Sequence, residues 1–236
     1  MTPAAGPRGA PPRWRALCAA VIACRRCPRL VEHRQQVAHD KRRAYRDWDY
    51  WGKPLTGFGD PQARLVVIGL APAAHGGNRT GRIFTGDRSG DWLYETLYRF
   101  GFANQPTSTQ RDDGLRLTDA YVTAAARCAP PDNKPTKEEF DNCRPFLQRE
   151  LELLQRAQVV VALGRIAFDA YLAVHVAGGQ ALPRPRPQFA HATVHRLSAI
   201  TLIGSYHPSQ RNTQTGFLTH AMFDTVFATA RRVLEA

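Results

Sequence analysis

Four short apolar runs, separated by stretches with helical patterning, dominate this sequence. Apolar runs of this length are typical of strands buried in a parallel sheet. They cover residues 64–70, 120–126, 159–163 and 200–205. The helical patterns cover residues 14–23, 30–45, 90–100, 137–156, 165–174 and 218–235. Because strands alternate with helices, we predict an α/β fold, a three-layer α/β/α sandwich with a central, mainly parallel four-stranded sheet.

The length of 236 residues suits one domain. The first dozen residues mix Pro, Gly, Ala and Arg, so we predict a disordered lead over residues 1–12 and a single domain over residues 13–236. No stretch approaches the roughly 20 apolar residues that cross a bilayer, and the N-terminus does not resemble a signal peptide. We therefore expect a cytoplasmic protein without membrane contact. Nothing in the sequence signals oligomerisation, so we expect a monomer.

The chain is strongly basic, with 32 Lys and Arg against 20 Asp and Glu and a formal net charge of +12. An excess of this size favours a polyanionic partner, nucleic acid first and an anionic membrane second. A cationic surface that is merely solvated explains the same charge. Charge alone therefore makes nucleic acid only the favoured partner.

Four of the five cysteines form a pattern typical of a metal centre. Cys24 and Cys27 are separated by two residues, Cys128 follows a predicted strand, and Cys143 lies on a predicted helix. In a reduced compartment, cysteines of this kind are ligands or buried thiols rather than disulfides. Four thiolates fit tetrahedral zinc and a 4Fe–4S cluster equally well, so the spacing leaves both open. Cys18 is expected in the core.

Three polar loops follow directly on predicted strands, at residues 71–89, 127–135 and 206–215. Ligands of parallel sheets bind beyond the carboxyl ends of the strands. All three loops are rich in Gly, Pro, Asn, His or Arg, which is typical of loops that carry function. We therefore expect a binding site at this edge of the sheet.

The first loop offers groups that suit a nucleic acid. Arg79, Arg82 and Arg88 are candidates for phosphate contacts, and Phe84 is a candidate for stacking on a base. Asp87 is the carboxylate of this loop and stands where a helix begins. A role as helix cap and a role in catalysis both remain open for it.

The other two loops each contribute one candidate. Asn133 is not explained by the Pro-rich turn around it, whereas Thr136 is expected to cap the next helix together with Glu139. His207 follows a strand, and its polar setting favours function over a structural role. The residues that suit contacts in a DNA groove are Gln210, Arg211 and Asn212.

Together, the loops and the cysteines resemble the uracil-DNA glycosylase superfamily and, within it, the type-b enzymes of the fifth family. The resemblance runs from about Cys24 to the end of the chain. It rests on GLAPAAHGGNRTGR at 69–82, FTGDRSG at 84–90, RCAPPDNKP at 127–135 and HPSQRNTQTG at 207–216. Residues 69–72 lack the acidic or amide side chain with which other branches position water, and this absence resembles the fifth family's own signature.

The resemblance implies a metal centre and a set of site residues. Relatives with this cysteine pattern hold one structural 4Fe–4S cluster, and the implied ligands are Cys24, Cys27, Cys128 and Cys143. By matched motif, the implied catalytic residues are Asp87, Asn133 and His207. The implied base pocket comprises Leu70, Ala71, Pro72, Ala73, His75 and Phe84, with Phe84 stacking on the flipped base. DNA contacts are expected from Asn78, Arg79, Arg82, Gln210, Arg211 and Asn212.

The implied function is that of a monofunctional DNA glycosylase of base excision repair, which flips a base out of double-stranded DNA and hydrolyses its N-glycosidic bond. Because residues 69–72 have no polar side chain that would recognise one base by hydrogen bonding, we expect removal of uracil and also of hypoxanthine, xanthine and modified uracils. Two alternatives stand beside it. A uracil-specific enzyme of the fourth family would need an acidic residue within 69–72. A non-catalytic DNA-binding module with a structural zinc would leave Phe84, Asn133 and His207 unexplained.

Overall fold

A computed structural model of the protein describes residues 11–236. Helices in this part of the chain are α1 Pro12–Ile22, α2 Pro28–Asp40, α3 Gly77–Thr80, α4 Arg88–Arg99, α5 Lys137–Leu153, α6 Arg165–Ala177, α7 Gln210–Gln214 and α8 His220–Glu235. Strands are β1 Phe58–Gly59, β2 Leu65–Gly69, β3 Ala120–Ala124, β4 Val159–Leu163, β5 Val194–Leu197 and β6 Ile200–Ser205. Two 3-10 turns span Arg43–Tyr45 and Pro131–Asn133. Of the predicted lead, residues 1–10 lie outside the described residues, and Pro12 already begins α1.

The strands form one sheet in the order β1-β3-β2-β4-β6-β5. The four central strands pair in parallel, and β1 and β5 pair antiparallel at the two edges. The α/β fold and its mainly parallel four-stranded centre are thereby confirmed, and the structure adds two short edge strands that we did not predict.

Alternate residues of a strand face opposite sides of the sheet, and both sides are covered by helices. Leu65 and Val67 of β2 belong to the apolar cluster beneath α4 and α8. Val66 and Ile68 of the same strand belong to the cluster beneath α1, α5 and α6. The central strands are apolar along their whole length because both of their faces are buried. This arrangement is the predicted α/β/α sandwich.

The ends of the helices follow the local sequence. Thr136 caps α5 in a capping box with Glu139, as predicted. The predicted helix over residues 30–45 ends earlier, at Asp40, where Lys41 adopts a left-handed backbone with φ 52°. In the part of the chain that the structure describes, no helix combines the length and apolar character that crossing a membrane requires.

Candidate functional site

The carboxyl ends of β2, β3 and β6 open into a cavity of about 420 Å³. Its walls come from all three of the loops that the sequence singled out. The residues that line it are Leu70, Ala71, Ala73, Phe84, Asp87, Arg88, Ser89, Asn133, His207, Ser209 and Gln210. The structure therefore brings the three predicted catalytic residues and the predicted stacking ring around a shared space. Ser89 and Ser209 were not among the predicted site residues. Arg88 is exposed and lines the cavity, and its predicted phosphate contact stays a prediction.

Phe84 is held in an unusual backbone conformation, with φ 51°. In a non-glycine residue this left-handed geometry is unfavourable in free energy, so the surrounding structure must accommodate it. Two glycines do so. A Cβ at Gly69 would overlap the ring of Phe84, and a Cβ at Gly90 would overlap its carbonyl oxygen. The ring is 7% exposed and stacks on the imidazole of His207, with centroids 5.9 Å apart.

His207 lies just beyond the end of β6 and lines the cavity. Its carbonyl oxygen accepts a hydrogen bond from Asn212 Nδ2 at 2.9 Å. Burial lowers the pKa of His207 from 6.5 to about 4. The imidazole is therefore neutral at physiological pH and offers one N–H donor.

Asp87 combines the two roles that the sequence left open. Its Oδ1 accepts a hydrogen bond from the Gly90 backbone N–H at 3.0 Å, which makes it the cap of α4. The same carboxyl group lines the cavity. Burial raises the pKa of Asp87, while hydrogen bonds from the Gly90 and Ser89 backbone and the charge of Arg79 act in the opposite direction. The structure shows the cap and the position at the cavity, and the catalytic role stays a prediction.

Asn133 stands at the rim of the cavity, on the 3-10 turn after β3. It is exposed and has a left-handed backbone with φ 56°, directly after Asp132 with φ 52°. Two consecutive left-handed residues are uncommon outside glycine. This turn directs the chain so that the Asn133 side chain reaches the same cavity as Asp87.

Arg79 was predicted to contact DNA, and the structure contradicts this. The side chain is 3% exposed, and its guanidinium lies between the rings of Tyr45 and Trp48, at 3.9 and 4.0 Å from their centroids. Its Nε donates to the His75 carbonyl at 2.7 Å and its Nη2 to the Gly86 carbonyl at 2.9 Å. Arg79 thus binds the loop internally and is not available to a phosphate.

Arg82 and Asn78 are corrected for the same reason. Arg82 is 3% exposed and pairs with Asp113, with Nη2 and Oδ2 2.6 Å apart. Asn78 is fully buried, and its Nδ2 donates to the Arg34 carbonyl at 3.2 Å. Both side chains hold the Gly-rich loop on the body of the protein, so neither forms part of a DNA-binding surface.

Two residues of the predicted base pocket lie away from the cavity. Pro72 is buried beneath the loop, beside Gly77. His75 turns toward Tyr50, whose hydroxyl lies 3.1 Å from His75 Nδ1. Burial lowers the pKa of His75, and the positive charges of Arg42 and Arg79 lower it further. Leu70, Ala71 and Ala73 line the cavity as predicted.

The predicted groove-contacting residues form the short helix α7 instead of an open loop. Gln210 and Arg211 are exposed, and Gln210 also lines the cavity. Asn212 is half-buried and its amide is engaged with His207. The Asn212 amide thus holds the backbone of His207. The DNA contacts of Gln210, Arg211 and Asn212 stay predictions.

The four predicted metal ligands lie together at a second place. Cys24, Cys27, Cys128 and Cys143 all line one pocket between α2, the loop after β3 and α5. All five cysteines of the chain are free thiols, and Cys18 is buried in the core as expected. Among the described residues, no group of three or more His, Cys, Asp or Glu is arranged to hold a single metal ion. The metal prediction therefore stays a prediction.

The surroundings of this pocket fit an anionic thiolate centre. Arg34 is 3% exposed, its Nη2 donates to the Cys24 carbonyl at 3.4 Å, and its Nε and Nη1 have no partner within the described part of the chain. An uncompensated buried cation is costly unless negative charge lies nearby. Asn142 Nδ2 also donates to Cys27 Sγ at 3.5 Å. Burial raises the pKa of Cys128 to about 12, so without a bound cation its thiol stays protonated.

Comparisons with known proteins agree with this geometry. The family model described as "Uracil DNA glycosylase superfamily" matches residues 56–231. The chain is 48% identical over 219 residues to the type-5 uracil-DNA glycosylase of Mycobacterium leprae, which covers 92% of this chain and 94% of that protein. It is 49% identical over 214 residues to the type-5 uracil-DNA glycosylase of Thermus thermophilus, covering 90% and 94%. A type-4 uracil-DNA glycosylase of Archaeoglobus fulgidus is 36% identical over 114 residues, 48% of this chain and 49% of that protein.

Proposed function

Because the chain belongs to the uracil DNA glycosylase superfamily and, within it, to the type-5 family, we propose that it is a monofunctional DNA glycosylase of base excision repair. Its reaction is hydrolysis of the N-glycosidic bond of uracil, and of other deaminated or modified bases, in double-stranded DNA. The observation that carries this proposal is the cavity at the carboxyl edge of the sheet, where Phe84, Asp87, Asn133 and His207 meet.

The cavity suits a nucleobase that has been flipped out of the duplex. Its volume of about 420 Å³ lies in the range of small-molecule sites. The Phe84 ring offers an aromatic face on which an extruded base stacks. A base inside the duplex cannot reach this space, so binding selects the flipped nucleotide.

His207 assists the leaving base. When the C1′–N1 bond breaks, its electron pair moves onto the uracil ring, and negative charge collects on the carbonyl oxygens. The neutral imidazole donates its N–H to such an oxygen, and a donor placed in this way contributes about 3 kcal/mol to the transition state. A protonated imidazole is not needed, because hydrogen bonding alone stabilises the departing uracil anion.

Asp87 and Asn133 act on the sugar side of the bond. The carboxylate stabilises the positive charge that develops on the deoxyribose, and it orients water together with the Asn133 amide at the cavity rim. The water oxygen forms the new bond to C1′, and its proton passes through Asp87 to solvent. The departed uracil anion takes up a proton from solvent, so the products are the free base and an abasic site.

The walls of the cavity favour a broad choice of bases. Leu70, Ala71 and Ala73 present small apolar groups and no side-chain donor or acceptor that would read one base edge. Apart from His207, which meets a carbonyl oxygen of the base, this wall forms no hydrogen bond that recognises one base, and such a wall cannot strongly reject a base that lacks a particular group. Hypoxanthine, xanthine and modified uracils therefore belong to the proposed substrates beside uracil.

Base release from defined duplexes tests both the proposed enzyme class and the proposed breadth of substrates. Duplexes that carry one uracil, hypoxanthine, xanthine or 5-hydroxymethyluracil are incubated with excess enzyme, and strand cleavage after alkali reports abasic sites. Release from none of them would refute the glycosylase, and release of uracil alone would refute the breadth while keeping the enzyme class. The type-4 alternative, which predicts strict uracil specificity, is decided by the same assay.

We further propose that Cys24, Cys27, Cys128 and Cys143 hold one 4Fe–4S cluster. Such a cluster supplies a structural crosslink of α2, the β3 loop and α5, and the uncompensated charge of Arg34 supports an anionic group in this place. Aerobic and anaerobic preparations are analysed for iron, acid-labile sulfide and zinc. Iron and sulfide near four each per chain, with broad visible absorption, are expected for this cluster. Stoichiometric zinc in a colourless protein would refute it.

A further inference from the structure

A run of cations lies at the 3-10 turn after α2, in a segment that contacts the loop lining the cavity. Arg42, Arg43 and Arg46 are exposed, and within the described residues their side chains form no ion pair or hydrogen bond. Lys41 adds a fourth cation, and its Nζ donates to the Arg46 carbonyl at 3.2 Å. We call residues 41–46 the basic turn. Two carboxylates, Asp47 and Asp49, follow it without pairing to these arginines in the described part of the chain.

The basic turn is fixed to the loop that builds the cavity. Tyr45, from the turn, and Trp48, just beyond it, enclose the guanidinium of Arg79, whose Nη2 donates to the carbonyl oxygen of Gly86. On the other side, the Arg42 backbone N–H donates to Tyr50 Oη at 3.4 Å. The turn that carries the three arginines is therefore held by contacts of its own, while their side chains have no partner in the part of the chain that the structure describes.

We propose that the basic turn is a phosphate-binding site that binds the DNA backbone beside the flipped nucleotide. This inference rests on the proposed function, because the DNA of that reaction is its ligand. Guanidinium groups match phosphate oxygens in a two-pronged geometry. Arginines that have no ion-pair partner among the described residues give up no such pair when they bind a phosphate. Contacts to phosphate position a protein without reading sequence. The basic turn would thus provide the phosphate contacts that the buried side chains of Arg79 and Arg82 cannot form.

Salt dependence of binding tests this site directly. The triple variant Arg42→Ala/Arg43→Ala/Arg46→Ala is compared with wild type on an undamaged duplex, by fluorescence anisotropy between 50 and 200 mM salt. Each lost phosphate contact lowers the slope of log K against log salt by about 0.9. Three contacts make the wild-type affinity fall about 40-fold further than that of the variant over this range.

Two matched variants separate a local site from general charge and from misfolding. Arg116→Ala/Arg156→Ala/Arg196→Ala removes three exposed arginines at the amino edge of the sheet, opposite the cavity, and is expected to keep the wild-type slope. Arg42→Lys/Arg43→Lys/Arg46→Lys keeps the charge and is expected to retain most of the slope. Equal slopes for the two alanine triples, or a lysine triple as weak as its alanine counterpart, would overturn the proposal.

Binding to undamaged DNA does not depend on base release, so the two proposals fail separately. A wild-type protein that binds duplex DNA with a steep salt slope but releases no base would refute the glycosylase and leave the basic turn to be judged on its slope. Normal base release with an unchanged slope in the alanine triple would refute the basic turn alone.

Discussion

The carboxylate of Asp87 lies against the backbone of Gly76, with no space for a side chain between them. Arg79 ties together the residues next to this contact, since it donates to the carbonyls of His75 and Gly86. The position of the carboxylate is thus set by two parts of one loop that are clamped to each other. Any catalytic role of Asp87 depends on this clamp.

Gly76→Ala should displace the Asp87 carboxylate and leave the rest of the cavity in place, because the new Cβ overlaps Oδ2. A displacement of about 1 Å in a catalytic group costs on the order of 100-fold in rate. We expect single-turnover release of uracil to fall by about this factor while binding to undamaged DNA is retained. Gly178→Ala is the matched control, since a Cβ there meets only ordinary contacts at 3.5 Å. Equal loss in both variants would contradict the contact as the cause.

Arg79→Lys keeps the charge but removes the planar fork that reaches two carbonyls and fills the space between Tyr45 and Trp48. We expect base release to fall by about 10- to 100-fold, with a lower melting temperature. Arg64→Lys is the control, because Arg64 forms a comparable fork on Asp119 at the amino edge of the sheet. That variant is expected to lose stability but to release uracil at the wild-type rate. Wild-type release by Arg79→Lys would show that the clamp does not matter.

The central sheet could be predicted because a strand that is buried on both faces has a short continuous apolar sequence. The strands β4 and β6 coincide with the predicted ranges 159–163 and 200–205. The edge strands have no such apolar run. β1 has only two residues, and β5 reads Val-His-Arg-Leu with three of its four residues exposed or half-buried. An edge strand is stabilised by pairing with its neighbour rather than by an apolar run of its own.

The site could be predicted in part because parallel strands all end at one edge. This topology places the three loops that carry Phe84, Asp87, Asn133 and His207 at the same edge. The inward orientation of the Arg79 and Arg82 side chains could not be predicted, because the residues that they contact are distant in the sequence. Asp113 lies 31 residues beyond Arg82, and the rings around Arg79 come from the segment after α2. A charged residue in a Gly-rich loop looks exposed until its partner is known.

Asp87→Asn should stabilise the protein and inactivate it. Asparagine keeps the oxygen that caps α4, so the helix loses little. Burial raises the pKa of Asp87, which means that its ionised form is penalised in the folded state at neutral pH. The penalty disappears as the pH falls and the carboxyl group takes up a proton. We therefore expect a higher melting temperature than wild type at pH 7, a smaller difference at pH 4, and base release reduced by about 100-fold or more. A variant that melts lower at pH 7 would contradict the buried charge.

Cys143→Ser should remove the proposed cluster, whereas Cys18→Ser should not. Cys143 shares its pocket with three other cysteines, and Cys18 lies in the core away from them. We expect Cys143→Ser to lose visible absorption and bound iron together, and to melt well below Cys18→Ser. Iron content is measured by colorimetric chelation and stability by circular dichroism. Equal iron in both variants would remove Cys143 from the ligand set.

His207 should make the protein less stable in mild acid. Burial holds its pKa at about 4 in the folded state, below the ordinary value of 6.5. The unfolded chain therefore binds a proton that the folded chain refuses, so stability falls as the pH decreases from 6.5 toward 4. His207→Gln has no such group and lacks this contribution. Melting curves of the two proteins between pH 8 and pH 4.5 are compared, and the wild type is expected to lose stability relative to the variant below pH 6.5. Parallel curves would contradict the burial of the imidazole, because they would mean that it titrates freely in the folded protein.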